Sequence, residues 1–285
     1  MPEVFESFGS RDGVTPMPEL LNAGFLAGVK LGYSGLDAAI SFVRGGESGS
    51  ISTVSDMLDF DLSLTRELLR ISSASKGTEF NLETEDIPFG AISASIGQTL
   101  QDIRIPLNTT PDPQPFTYHD EIRELVLSDN LWALFDPDSQ ITRTAITYVL
   151  NVSGLGNWLI DPFAPEFDTP DITEGRLHRL TLHELLLSGA GAELTGSGDF
   201  TFNNDNLDSY DGIPVPEGDL DLKLTGGNQL LDTLVRTGIL SGEDATSARM
   251  ITGMFTAKGD DDDTIVSRIE ATGDGKLLAN GQRLK

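Results

Sequence analysis

The sequence predicts an α+β protein: an extended, curved antiparallel β-sheet, meander or sandwich-like, with a small C-terminal helical pair. Three observations carry that expectation. Short runs of alternating apolar and polar side chains recur from Val29 onward. The intervals between them hold Gly, Ser, Asp and Asn. A helical period shows only near residue 130 and again after Asn228. Half-polar strands of this kind belong to antiparallel sheets with one solvated face.

Taken in order, residues 1–28 hold Pro2, Pro16, Pro18, Gly9 and Gly13 without a sustained period and read as an irregular lead-in. Residues 29–110 read as a meander of about five strands. Val29, Leu31 and Tyr33 share a face, and after Gly35 the phase changes to Leu36, Ala38, Ile40 and Phe42. Further alternating runs follow: Leu58 to Leu64, Phe80 to Thr84, Ile92 to Ile96 and Ile103 to Leu107. Pro111, Pro113 and Pro115 mark residues 111–118 as a crossover excluded from helix and from central strand.

Residues 119–285 are expected to pack with the first part as one domain. They offer a strand at Glu124–Leu127, then a short helix from Asp129 stopped at Asp136-Pro137. Strands follow at Ile146–Val152, Arg176–Ser188, Ala192–Phe202 and Leu220–Leu224. Asn228 is placed to cap a helix carrying Leu230, Leu231, Leu234 and Val235, ending at Gly238. Ser241 opens a second helix, with Glu243 and Asp244 near its positive end. A hairpin turning at Asp274-Gly275 closes the chain. A sheet of this extent needs its apolar face covered by curvature, by helices or by a second sheet.

The 285 residues include 45 acidic and 19 basic side chains, no cysteine, and a formal net charge of -26. Without cysteine there is no disulfide, Cys-ligated metal or Cys nucleophile. A field this negative repels nucleic acid and anionic headgroups, so no nucleic-acid partner is expected. No apolar run is long enough for a transmembrane helix, and the N-terminus lacks the charged and apolar regions of a signal peptide.

Chemistry-bearing patterns are sparse. The three histidines are His119, His178 and His183; the last two sit five apart in a strand, which places them on opposite faces. Gly196-Ser197-Gly198 lies between strands, where no phosphate loop forms, and Ser153 lacks the flanking glycine of a nucleophile elbow. No catalytic residue is nominated, and the protein reads more readily as a non-enzyme. Two acidic loops, one with Asp205, Asp208 and Asp211 and one with Asp261 and Asp263, present oxygen ligands of the type calcium takes. They do not follow the spacing of an EF-hand, and solvated turns are their ordinary reading. In the helical pair Leu231, Leu234, Met250, Met254 and Phe255 are candidates for lining a ligand groove, against the plainer reading of core.

The C-terminal third carries a distinctive series. It opens with Gly189-Ala190-Gly191-Ala192-Glu193-Leu194-Thr195-Gly196 and continues through Asp211-Gly212-Ile213-Pro214-Val215-Pro216. Leu222-Lys223-Leu224-Thr225-Gly226-Gly227-Asn228 follows, and the series closes on Ala279-Asn280-Gly281-Gln282-Arg283-Leu284. Together these resemble the bacterial envelope family known as domain of unknown function 2125, and Ile87-Pro88-Phe89 and Ile105-Pro106-Leu107 extend the likeness over most of residues 30 to 285. The resemblance implies a periplasmic setting and a C-terminal portion of a longer secreted protein. It supplies no activity and no catalytic residues.

Three functions follow as expectations. The first is a periplasmic, non-enzymatic binding or scaffolding module holding an acyl chain or an apolar envelope partner against a curved sheet. The second is a calcium-dependent structural or adhesive module using the acidic loops. The third is a hydrolase whose carboxylates converge only in the fold.

Overall fold

The computed structural model describes residues 17–164, 167, 174–207, 210 and 212–284. The chain runs α1 (Met17–Asn22), β1 (Ala27–Arg44), β2 (Glu47–Leu64), β3 (Leu68–Thr84), β4 (Ala91–Pro106) and β5 (Gln114–Leu127). It continues through α2 (Asp129–Ala133), β6 (Ile146–Trp158), β7 (Gly175–Gly189), β8 (Ala192–Asn203) and β9 (Val215–Thr225). The helical pair α3 (Gly227–Arg236) and α4 (Gly242–Phe255) precedes β10 (Ala257–Lys258), β11 (Thr264–Ala271), β12 (Leu277–Ala279) and β13 (Gln282–Arg283).

All thirteen strands join one open antiparallel sheet, in sequence order except that β10 pairs beside β11. Of the two forms expected, the meander is the one that forms. The first part holds four long strands, β1 to β4, where the sequence predicts about five short ones. Interruptions that read as strand ends are internal steps. The lead-in contains α1 and the start of β1, and its residues 1–16 lie outside the described residues. The proline-rich crossover is shorter than predicted, because β5 begins within it and Pro115 pairs with Leu155 of β6. A proline is tolerated there because it stands second in the strand, where a missing N–H costs little of the ladder.

The internal steps line up. The ladders break between Ser34↔Met57 and Leu36↔Ser55, and between Val54↔Glu79 and Met57↔Lys76. They break again between Lys76↔Gln98 and Thr78↔Ile96, and between Ile96↔Leu125 and Gln98↔Arg123. A transverse row results: Gly35, Asp56, Gly77, Gly97 and Glu124. Gly35, Gly77 and Glu124 have φ of +69°, +54° and +57°. Simple alternation puts residues three apart on opposite faces. Yet Ser75 Oγ lies 3.4 Å from Thr78 Oγ1, which is 3.0 Å from Ser55 Oγ, while Ser75 also bonds Thr99 at 2.7 Å. Each of these strands therefore shifts phase at the row, so its apolar residues stay on one face from end to end. β6 alternates without the step, and the mismatch appears as the register shift between Ile122 and Leu125 of β5.

Caps follow local chemistry. The Ser128 side chain accepts from Leu131 N, and that of Ser241 from Asp244 N. At α3 the capping position is Gly226, with φ +74°, and Asn228 does not cap. The Asp263 carboxylate does so from across the loop, accepting from Asn228 N at 3.1 Å and Gln229 N at 2.9 Å.

Candidate functional site

One face of the sheet, here termed the inner face, carries an unbroken apolar row across the molecule. Val29 pairs with Leu62, Leu62 with Ile71, and Ile71 with Ile103. Tyr118, Val152, Leu182 and Gly198 continue it. Leu220, Ile269 and Ala279 complete it at the far edge. At about 4.8 Å per strand this row spans roughly 48 Å. A second row runs beside it from Phe116 through Gly154, Leu180, Phe200, Gly218 and Ala271 to Leu277.

This face is not the interior of a sandwich. Among the described residues Leu21 and Leu107 are the only fully buried leucines, and neither belongs to a strand. The inner-face leucines, isoleucines and phenylalanines are half-buried by their own neighbours. Toward β1 they become exposed, with Tyr33 at 48% and Ile40 at 69%. Side chains facing a second sheet would be fully buried. An apolar surface this long is larger than the scattered apolar residues that ordinary protein surfaces carry.

Each end of the inner face has a cleft. At one end, Ile105, Phe116, Gly156, Trp158, Gly175 and Leu177 surround about 440 Å3. The cleft exists because Phe116 lies across Gly154, where any Cβ would strike its ring. Trp158 is fixed above it, donating from Nε1 to the Pro106 carbonyl at 2.6 Å and meeting the Phe167 ring edge-on at 5.6 Å. Arg66 ties down the adjoining loops, donating to Asn22 Oδ1 at 2.8 Å and Asp161 Oδ2 at 2.6 Å.

At the opposite end α3 and α4 stand over Ala192, Leu224 and Ile265 of the same face and enclose about 490 Å3. Leu231 and Leu234 line this cleft as the sequence predicts. Met250, Met254 and Phe255 do not: the two methionines lie on the solvent side of α4, 68% and 66% exposed, and Phe255, the last residue of α4, stands outside the lining. The helical period alone did not say which side of α4 faces the cleft; Ala248, Arg249, Thr252 and Gly253 do.

Between the clefts the face has a polar centre. Ser73 pairs with Gln101 and Gln101 with Asp120, beside the Ser55–Thr78–Ser75–Thr99 hydroxyl chain. Tyr148 titrates above the ordinary phenol value, first through burial and then through the negative charge of Asp120 and the neighbouring Tyr118.

The outer face is mainly polar and ionic, with Val149 buried on it beside Leu186. Glu121 is buried there, accepting from Gln98 Nε2 at 2.9 Å and Arg123 at 3.0 Å. Its carboxyl is held below the usual range chiefly by the Arg123 hydrogen bond, against the opposing push of burial. Asp199 is likewise lowered, by Arg179 and then by Thr181. His183 Nε2 lies 2.7 Å from Ser153 Oγ, a pair the sequence reading missed. Only the β6–β7 register brings them together, since they lie thirty residues apart. Both oxygens of Asp199 already accept hydrogen bonds, from Arg179 and Thr181. His178 bonds Asn157 instead, at 2.8 Å, so the two histidines share this face rather than lying on opposite faces as alternation predicts, because the β6–β7 register shifts between Leu155 and Gly156.

For the acidic loops, Asp208 and Asp211 lie outside the described residues. Asp205 donates its backbone N–H to Asn203 Oδ1, and Asp263 is occupied as the α3 cap. Among the described residues no three His, Asp or Glu side chains are grouped as metal ligands would be. Two carboxyls do meet at Glu47 and Asp86, where the hydrogen bond and charge of Asp86 raise Glu47, but the site is fully exposed.

No helix among the described residues is long and apolar enough to cross a membrane. No curated protein and no solved structure matches the chain. Residues 37–272 match the family described as an uncharacterized protein conserved in bacteria (DUF2125). That match runs from within β1 to just past β11 and so covers nearly the whole sheet. The chain belongs to this uncharacterised bacterial family.

Proposed function

We propose that the protein is a non-enzymatic binding module that holds an acyl chain against the inner face of its sheet, and that it works in the periplasm. The observation that carries this reading is the edge-to-edge apolar row from Val29 to Ala279, whose larger side chains are only half-buried among the described residues. An extended hydrocarbon is the ligand whose shape suits such a row. The clefts near Trp158 and beneath α3 fall within the ~300–1,000 Å3 range of small-molecule sites and flank the row on either side, where a bent chain or its polar end finds room. The Asp120–Gln101–Ser73 centre disfavours an anionic headgroup there and leaves the ends of the chain as the place for polar groups.

The test is native mass spectrometry of protein produced in a Gram-negative periplasm, followed by solvent extraction. Retained acyl lipid, lost from a Leu182→Glu variant that still folds, supports the proposal. Ligand-free protein that also fails to bind a fluorescent fatty acid refutes it.

A further inference from the structure

The two edges of the sheet differ. The far edge ends in β10, β12 and β13, each of two or three residues, and short strands of this kind blunt an edge. The near edge is β1, eighteen residues long and paired, among the described residues, on one side only, with β2. It contains no proline, and its inner-face side chains Val29, Leu31, Tyr33 and Ile40 are exposed. In a chain of net charge -26 this strand carries Lys30 and Arg44 against Asp37. The strand's own side chains thus carry no net negative charge, so the edge itself adds no repulsion when two such acidic molecules approach, and Lys30 also pairs with Asp61 of β2.

We propose that β1 docks antiparallel against β1 of a second copy about a two-fold axis, making one continuous sheet with a doubled apolar face. The phase step at Gly35 fixes the register. A register that aligns the step on both copies sets Tyr33 opposite Leu36 of the second copy, Leu31 opposite Ala38, Val29 opposite Ile40 and Ala27 opposite Phe42. Every inner residue then meets an inner residue, as Tyr33 meets Leu58 and Leu36 meets Ser55 inside the molecule. Shifting by one residue sends each row to the wrong face, so no neighbouring register substitutes. On the outer face Lys30 and Asp37 of opposite copies become diagonal neighbours, twice by symmetry.

The absence of cysteine makes the register directly testable. Ser34 sits next to the axis on the outer face, and its mate in the second copy is ~6 Å away by Cα, inside the roughly 4.4–6.8 Å window for a disulfide. Ser41 is separated from its own mate by about 40 Å along the strand. The inference predicts a dimer by light scattering, strengthened by salt because the bodies repel. It predicts rapid oxidative cross-linking of Ser34→Cys and none of Ser41→Cys. Lys30→Glu and Asp37→Lys should each raise the dimer dissociation constant several-fold, and the double exchange should recover most of that loss. Each variant is first checked for native circular dichroism. A monomer at all concentrations tested overturns the proposal, whatever other strand uses the edge. So does a dimer in which Ser34→Cys cross-links no better than Ser41→Cys. A dimer that binds no lipid leaves this inference standing and removes the acyl-chain reading instead.

Discussion

Replacing Leu182 by Glu separates an open apolar face from a packed core. Leu182 is on the inner face of β7, paired with Val152 on one side and Gly198 on the other. In a covered core, an isolated carboxylate there would cost more than about 4 kcal/mol and unfold a typical domain. Here no layer lies above it, so the carboxylate reaches water. What is lost is the leucine's half-burial, about 1 kcal/mol, together with one cross-strand apolar contact of roughly 0.2–1 kcal/mol. The expected cost is therefore about 1–2 kcal/mol. Val149 supplies the comparison. It lies between Glu121 and Leu186 on the other face and is 0% exposed, so the far milder Val149→Ala should cost about 2 kcal/mol through the cavity it leaves. Urea denaturation followed by circular dichroism measures both. A Leu182→Glu protein that does not fold, or that loses more than twice what Val149→Ala loses, would show that the inner face is covered and refute the reasoning.

Other outcomes follow from the same geometry. Glu121→Gln removes a buried charge bonded to Arg123 and should cost about 1–3 kcal/mol at neutral pH. Because the folded Glu121 titrates below its unfolded value, its stabilisation is full above the ordinary carboxylate range and fades as pH falls through the folded value. Chemical melts between pH 7 and 3 should thus show the variant and parent converging toward acid. Gly77→Ala should cost about 1–3 kcal/mol, since φ is +54° and the new methyl meets the Asp56 carboxylate. Gly90→Ala, at φ +73° in open space, should cost less in the same melts. Asp263→Ala should lose about 1 kcal/mol with the α3 cap. The loss should be equal in calcium and in chelator; dependence on calcium would restore Asp263 to an ion site.

The sheet was legible in the sequence wherever apolar and polar residues alternate cleanly, as from Leu58 to Leu64 and from Ile146 to Val152. It was illegible where the inner face turns polar. Ser72, Ser73, Ser75 and Thr78 of β3 carry no hydrophobic signal, yet the strand runs unbroken through them because neighbouring strands supply hydroxyl partners for Ser75 and Thr78. Lengths of strand were underestimated for this reason. The change of phase at Gly35 was visible in sequence. Its meaning was not, because it depends on Gly77, Gly97 and Glu124 arriving in the same transverse row. Asn228 had the chemistry of a cap, but the capping carboxylate comes from Asp263, thirty-five residues away, which no local rule reaches. The candidate groove divided for a similar reason. Leu231 and Leu234 face the sheet and Met250 and Met254 face water, a choice set by how α3 and α4 are seated against Leu224 and Ile265.

The charge and the apolar face belong to one physical design. A sheet with a 48 Å apolar stripe invites stacking of inner face on inner face, since burial is worth about 25 cal/mol for each Å2 removed from water. The chain carries a net charge of -26, with Glu121, Asp199 and Asp221 among the acids on the outer face, and bringing two such bodies face to face concentrates that charge around a shared apolar seam. A thin, uncharged chain enters the same stripe without that repulsion. The polar centre at Ser73, Gln101 and Asp120 works in the same direction, because a second protein layer would have to bury Asp120 while a flexible hydrocarbon passes beside it along the Val29–Ala279 row. Under the acyl-chain proposal, selectivity for a narrow ligand over a broad partner would come from where the charges are placed. Neutralising the rim, by acid or by Asp-to-Asn exchange there, should turn a monodisperse protein into one that associates through its inner face; light scattering that stays unchanged below the carboxylate range would count against this view of the charge.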